Sequence, residues 1–148
     1  MPRAVVVLTT ASLIGLFAAT TLRAQSELVE ETLSIPKQGL FTVNLEATVF
    51  KADGPGPFPL AVINHGMALG NPALQARYRP ASAVRYFLQR GYVVVVPMRQ
   101  GFANSGGLYI DSGCNIESNG RTQADDVLAT VAFMSEQPYV DKQRIITA

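Results

Sequence analysis

Pro57-Phe58-Pro59-Leu60-Ala61-Val62-Ile63-Asn64-His65-Gly66 decides the fold. A Pro/Gly-rich approach, Asp53 to Pro57, delivers an unbroken apolar run, Leu60 to Ile63, that stops at Asn64-His65-Gly66. A short apolar run with β-branched members and turn signals at both ends reads as a strand buried on both faces, the kind found inside a parallel sheet. In open α/β sheets ligands bind outside the carboxyl ends of such strands. The residues after Ile63 are therefore the first place to look for chemistry, with Gly66 expected to let the chain turn without a Cβ penalty.

Downstream, Ala81 to Arg90 reads as a helix: Val84, Phe87 and Leu88 fall at helical spacing, Pro80 fits the first turn and Gly91 the stop. Tyr92 to Val96, closed by Pro97, is a second strand buried on both faces. Strand, helix, strand within this length is one right-handed crossover unit of a parallel sheet. Upstream, Leu28 to Ile35 and Phe41 to Lys51 look extended, the second alternating apolar and polar residues, with turn chemistry in Pro36-Lys37-Gln38-Gly39 between them. They predict an antiparallel hairpin leading into the Leu60 strand.

A long loop is expected over Met98 to Arg121, followed by a helix capped at Thr122, with Asp125 and Asp126 near its positive end and Val127, Leu128, Val131 and Met134 on its buried face. The helix ends before Pro138, Val140 to Gln143 turns the chain, and Arg144 to Thr147 reads as a third buried strand. The fold class is α/β, a mostly parallel sheet with flanking helices and an N-terminal antiparallel hairpin. The strands Leu60 to Asn64, Tyr92 to Val96 and Arg144 to Thr147 are expected to be parallel.

Composition bounds the function. The chain has 148 residues, 48% of them hydrophobic, room for one packed domain. A formal charge of +1 gives no basic field for nucleic acid. One cysteine and one histidine exclude, within these residues, a disulfide framework and a Cys/His zinc cluster. Neither Gly54-Pro55-Gly56 nor Gly66 to Gly70 matches a dinucleotide fingerprint or a phosphate loop, so no cofactor is expected. Residues 1–24 read as an export signal, with Arg3 at its start, an apolar stretch from Ala4 to Leu22 and a cut before Gln25. A retained anchor is the other reading of that stretch. Residues 25–148 are then the folded part, exported to the periplasm or the medium and free of membrane once the signal is cut.

Other reactive side chains have ordinary explanations. Cys114 has no basic neighbour in sequence to activate it and reads as an inert thiol or the partner of a cysteine beyond Ala148. Asp125 and Asp126 point in different directions from adjacent helical positions and read as capping chemistry, not as a carboxylate pair. Arg99 and Arg121 read as solvated loop charges, and Tyr86, Phe87 and Tyr92 as core.

The succession Pro59 to Gly66, then Gly91 to Pro97, then Arg99-Gln100-Gly101-Phe102-Ala103-Asn104-Ser105-Gly106-Gly107 resembles the first half of α/β-hydrolases, most nearly the dienelactone hydrolase and prolyl-oligopeptidase-like branch. Gln137 to Ile145 is similar to the segment that feeds this branch's nucleophile strand, and the resemblance covers roughly Val43 to Ala148. It implies an incomplete hydrolase fold with the Leu60 strand between the other two parallel strands. It also implies that the G-x-S-x-G nucleophile turn, the acid and the catalytic histidine all lie beyond Ala148, so no catalytic residue is carried over. Ser105 lacks the glycine two places before it, follows the wrong strand, and reads as loop. What the resemblance does carry over is one oxyanion donor from the loop after the His-Gly strand, with Gly66 and Met67 as candidates and the Met67 N–H favoured. His65 reads as a structural histidine bonding that loop. The implied function is the N-terminal part of an exported serine hydrolase for carboxylic esters or related small acyl substrates, inactive as it stands. A non-catalytic interaction module and a membrane-anchored binding protein are the alternatives.

Overall fold

The computed structural model describes residues 28–148, so the export segment read over residues 1–24 lies outside the described residues. Strands β1 (Glu30–Lys37) and β2 (Val43–Phe50) form the expected antiparallel hairpin, closing at Lys37 opposite Val43. β3 (Phe58–Val62), helix α1 (Ala81–Leu88) and β4 (Val93–Pro97) form the crossover unit, with Leu60 beside Val93 in a parallel pair. Helix α2 (Ile116–Ser135) leads to β5 (Val140–Thr147), parallel to β3. The sheet order is β1-β2-β4-β3-β5, with β2 antiparallel to β4. The Leu60 strand thus lies between the other two parallel strands, as expected.

Strand alternation sorts the core onto two faces. Leu60, Val62, Val93 and Val95 point to the side covered by α2 with Met134, while Ala61, Ile63, Val94 and Val96 meet Val84 and Phe87 of α1. All four valines of β4 are fully buried, which explains why that strand shows no polar alternation. Among the described residues no helix is long and apolar enough to cross a membrane.

Three boundaries and one helix face differ from the sequence reading. β1 runs on through Pro36, expected in a turn, because it is an edge strand, where a missing N–H is tolerated. β5 begins at Val140 rather than Arg144: Phe58 pairs with Val140, after which the register jumps so that Leu60 meets Ile145. The predicted turn is the excursion inside this strand, held where Asp141 accepts from the Gln143 N–H at 3.0 Å and pairs with Arg144 at 2.6 Å. Helix α2 starts six residues before Thr122, capped by Asn115, whose side chain accepts from the Ser118 N–H at 3.0 Å. Thr122 instead donates its hydroxyl back to the Ser118 carbonyl within the helix. Weak helix formers at Ser118-Asn119-Gly120 hid that first turn. Last, Leu128 is 62% exposed, since Asp126, Thr130 and Met134 form the inward line and Leu128 lies about 200° round the helix from Asp126.

Candidate oxyanion loop

The end of β3 is tied to its neighbours on both sides. Ile63 N–H donates to the Val95 carbonyl at 2.9 Å, and Asn64 donates through its backbone and its side-chain amide to the Ala148 carbonyl at 2.7 and 3.1 Å. The next residue, His65, turns its ring into the protein and is 8% exposed. Its Nε2 accepts the Arg99 backbone N–H at 3.0 Å, and its Nδ1 lies 2.6 Å from the Gly66 carbonyl oxygen. Because a carbonyl only accepts, these two contacts assign the ring proton to Nδ1. Phe102 meets the ring edge-on at 4.7 Å between centroids. Burial pushes the His65 pKa below its ordinary value; the bond to Gly66 opposes this, the Arg99 guanidinium adds to it, and Asp126 opposes it. With both nitrogens engaged and the neutral form favoured, His65 has no free lone pair with which to act as a base.

Arg99 corrects the sequence reading. It is buried, not a solvated loop charge, because its guanidinium lies 4.8 Å over the Phe102 ring and is committed at both ends. Nη2 donates to the Gly66 carbonyl at 3.2 Å, and Nη1 donates to the Gln123 side-chain oxygen on α2. Burial lowers its pKa, opposed by Tyr109 and Asp126. The Gly66 carbonyl thus receives two donors, one from each loop. In a trans peptide the C=O and the following N–H point in opposite directions. Holding that carbonyl inward aims the Met67 N–H outward, on an exposed loop. Among the described residues the Met67 N–H donates to no protein acceptor. Gly66 itself is not left-handed, and a Cβ there would meet nothing within 4 Å, so the turn expected to demand glycine does not demand it.

Asp126 is the second correction. It is not in a first helical turn, where Glu117 stands instead, but is 3% exposed on the inner line of α2. One carboxylate oxygen pairs with Lys37 Nζ at 2.6 Å and the other accepts the Gln100 N–H at 2.9 Å. β1, α2 and the start of the β4–α2 loop are locked together there. Farther along that loop, Gly101 has φ +77°, and a Cβ on it would lie 2.1 Å from the Tyr109 nitrogen.

The remaining candidates fall where they were read, except that Arg121 stands on helix α2 and not in a loop, and Tyr86 is exposed and not core. The Ser105 hydroxyl is buried, donating to the Met98 carbonyl at 2.7 Å and accepting the Glu46 N–H at 2.9 Å, which makes it a clamp between loop and β2. Cys114 is exposed and free, and Arg121 pairs with Glu117 on the surface. Tyr86, Phe87 and Tyr92 form an edge-to-face chain in which Phe87 and Tyr92 pack on the core while Tyr86 is 51% exposed beneath Arg90. Among the described residues no group of three or more His, Cys, Asp or Glu side chains is placed to hold a metal ion.

No family model matches the chain, and no curated protein matches it. Solved structures do. A hypothetical protein from Pseudomonas aeruginosa superposes with a TM-score of 0.61 at 16% identity, over 94% of this chain and 40% of that one. An α/β hydrolase from Penicillium gives 0.58 at 20% identity, over 81% and 37%, and an esterase from Pyrococcus furiosus gives 0.57 at 18%, over 81% and 41%. At such identities the likeness is one of fold, and the chain carries part of the α/β-hydrolase fold, spanning about two fifths of the length of these structures.

Proposed function

We propose that this chain supplies the oxyanion-stabilising part of an exported serine hydrolase of the dienelactone hydrolase and prolyl-oligopeptidase-like branch, acting on carboxylic esters or related small acyl substrates. The observation that carries the reading is the Gly66 carbonyl held from behind by His65 and Arg99, which, across a planar trans peptide, turns the Met67 N–H the other way. In acyl transfer, attack on the carbonyl carbon pushes negative charge onto its oxygen, and a fixed N–H facing that oxygen stabilises the transition state more than the ground state. A backbone donor held this way needs no reorganisation when charge develops. Loss of one such donor costs about 10²- to 10³-fold in kcat. Gly66 beside it leaves room for the approach of substrate, since a side chain there would stand over open space.

The nucleophile and its base are not supplied by His65 or Ser105, whose polar atoms are committed to backbone groups. On its own the chain is expected to give only background hydrolysis of p-nitrophenyl esters and no labelling by a fluorophosphonate. Labelling abolished by Ser105→Ala would overturn this. The positive arm reads the codons that follow Ala148: an immediate G-x-S-x-G supports the proposal, and its absence removes it. In the chain so extended, Met67→Pro, which deletes the N–H, is expected to lower kcat by about 10²-fold or more, while Met67→Ala changes it little. Equal activity of the two variants would refute the assignment.

A further inference from the structure

We propose that Arg99 is the positioning residue of the candidate oxyanion loop, setting the direction of the Met67 N–H by holding the Gly66 carbonyl directly and through His65. The inference deepens the functional reading and rests on it only for the use to which the N–H is put. The Arg99 backbone N–H occupies His65 Nε2 at 3.0 Å, leaving the ring proton on Nδ1, where it faces the Gly66 oxygen at 2.6 Å. The Arg99 side chain then reaches the same oxygen with Nη2 at 3.2 Å while Nη1 is anchored on Gln123. Only a planar fork spans two acceptors at fixed separation in this way; a lysine ammonium is a single point on a flexible stem. The residue after β4 thereby sets a peptide after β3, joining two neighbouring strand ends into one unit.

The clamp has a chemical release. A second proton on the ring can only go to Nε2, where it would meet the Arg99 N–H donor to donor and place a cation beside the guanidinium. The groups facing His65 are Arg99 from the β4 end, Asp126 from α2 and Tyr78 from its own loop, at 6.5 Å between ring centroids; Tyr109 lies beyond Phe102, facing Arg99. The bond to the Gly66 carbonyl favours the charged ring and so does Asp126, which is already paired with Lys37.

Two features of the sequence make the test direct. Gly66-Met67 is the only Gly-Met pair in the chain, so labelling glycine carbonyl carbon with ¹³C and methionine nitrogen with ¹⁵N yields one carbonyl–amide cross-peak, from the peptide in question. His65 is the only histidine, so ¹⁵N-histidine gives a single ring spectrum. In the native chain the ring is expected as the neutral Nδ1–H tautomer at pH 7.5, and ring and peptide signals should move together as pH falls to 5. Arg99→Met is expected to shift the Gly66 carbonyl upfield as it loses a donor, with partial return in Arg99→Lys. Gln123→Ala, which frees the far end of the guanidinium, should move the same signal in the same direction, and it carries the test should Arg99→Met fail to fold. Arg121→Met, on the surface, should leave it in place. A peptide signal unmoved in both Arg99→Met and Gln123→Ala, or a ring that titrates without it, would overturn the proposal. These readouts need no hydrolysis, so failure of the kinetic arm above would remove the oxyanion role and leave the clamp standing, and the converse holds as well.

Discussion

Replacing Asp126 by alanine tests how the loop after β4 is fixed. The carboxylate is 4% exposed and serves Lys37 Nζ and the Gln100 N–H at once, while the Lys37 side chain is 16% exposed. Removing one member of a buried ion pair costs roughly 3 to 5 kcal/mol, because the other charge is left buried without a counter-charge. Lys37 lies near enough to the surface to swing its ammonium into water, which lowers that figure. The Gln100 N–H loses its acceptor as well, worth about 1 to 3 kcal/mol. The expectation for Asp126→Ala is about 3 kcal/mol. Lys37→Met should cost at least as much, since the Asp126 carboxylate cannot move out of helix α2. The double variant Lys37→Met, Asp126→Leu should cost clearly less than the sum of the singles, because no unpaired charge is left behind. Urea unfolding followed by far-UV circular dichroism measures all three. An Asp126→Ala cost below about 1 kcal/mol, or strict additivity in the double variant, would refute the view that this pair is a buried lock.

Other consequences are open to the same assay. Ser105→Ala should destabilise by about 1 to 3 kcal/mol, because the part-buried Glu46 N–H and the buried Met98 carbonyl both lose their partner; an unchanged midpoint would contradict the clamp. Gly101→Ala should cost about 2 to 5 kcal/mol from its left-handed backbone and from the collision with Tyr109, and a variant as stable as the parent would show that the loop has another course. His65 makes stability pH-dependent. Its folded pKa lies below the ordinary value of 6.5, so just below that pH the unfolded chain binds more protons than the folded one. Stability should therefore fall as pH drops through about 6.5 toward the folded pKa, and the fall should be missing in His65→Asn between pH 7 and 5.5.

Strands and crossover were legible because their signals are local. Leu60 to Ile63 and Val93 to Val96 are short, uninterrupted apolar runs with β-branched members between turn residues, a combination that favours a doubly covered strand over a helix. The buried charges were not legible in the same way. Nothing in Arg99-Gln100-Gly101 says that the arginine folds back over Phe102, since its partners Gly66 and Gln123 lie 33 and 24 residues away. Asp126 looked like a helix-start residue because the true start, at Asn115, is followed by weak helix formers, and its partner Lys37 is 89 residues distant. Periodicity reports which face is apolar; it cannot report a polar residue drawn inward by a distant opposite charge. The Gly66-Met67 loop was found by resemblance, whereas the reason for its orientation came from hydrogen bonds that no spacing rule encodes.

The strand order has a kinetic consequence. β4 is seated between β2 and β3, yet it follows both in the chain, so the first three strands can complete their hydrogen bonding only after the crossover through α1 has brought β4 into the gap. The β1–β2 hairpin can form by local zipping, but it joins the rest of the sheet through β4 alone. Non-local closure of this kind is slow relative to hairpin formation. In amide hydrogen exchange, Val94 to Val96 should be the last positions to open, and protection in β3 should be lost with theirs. Protection confined to the hairpin should vary independently.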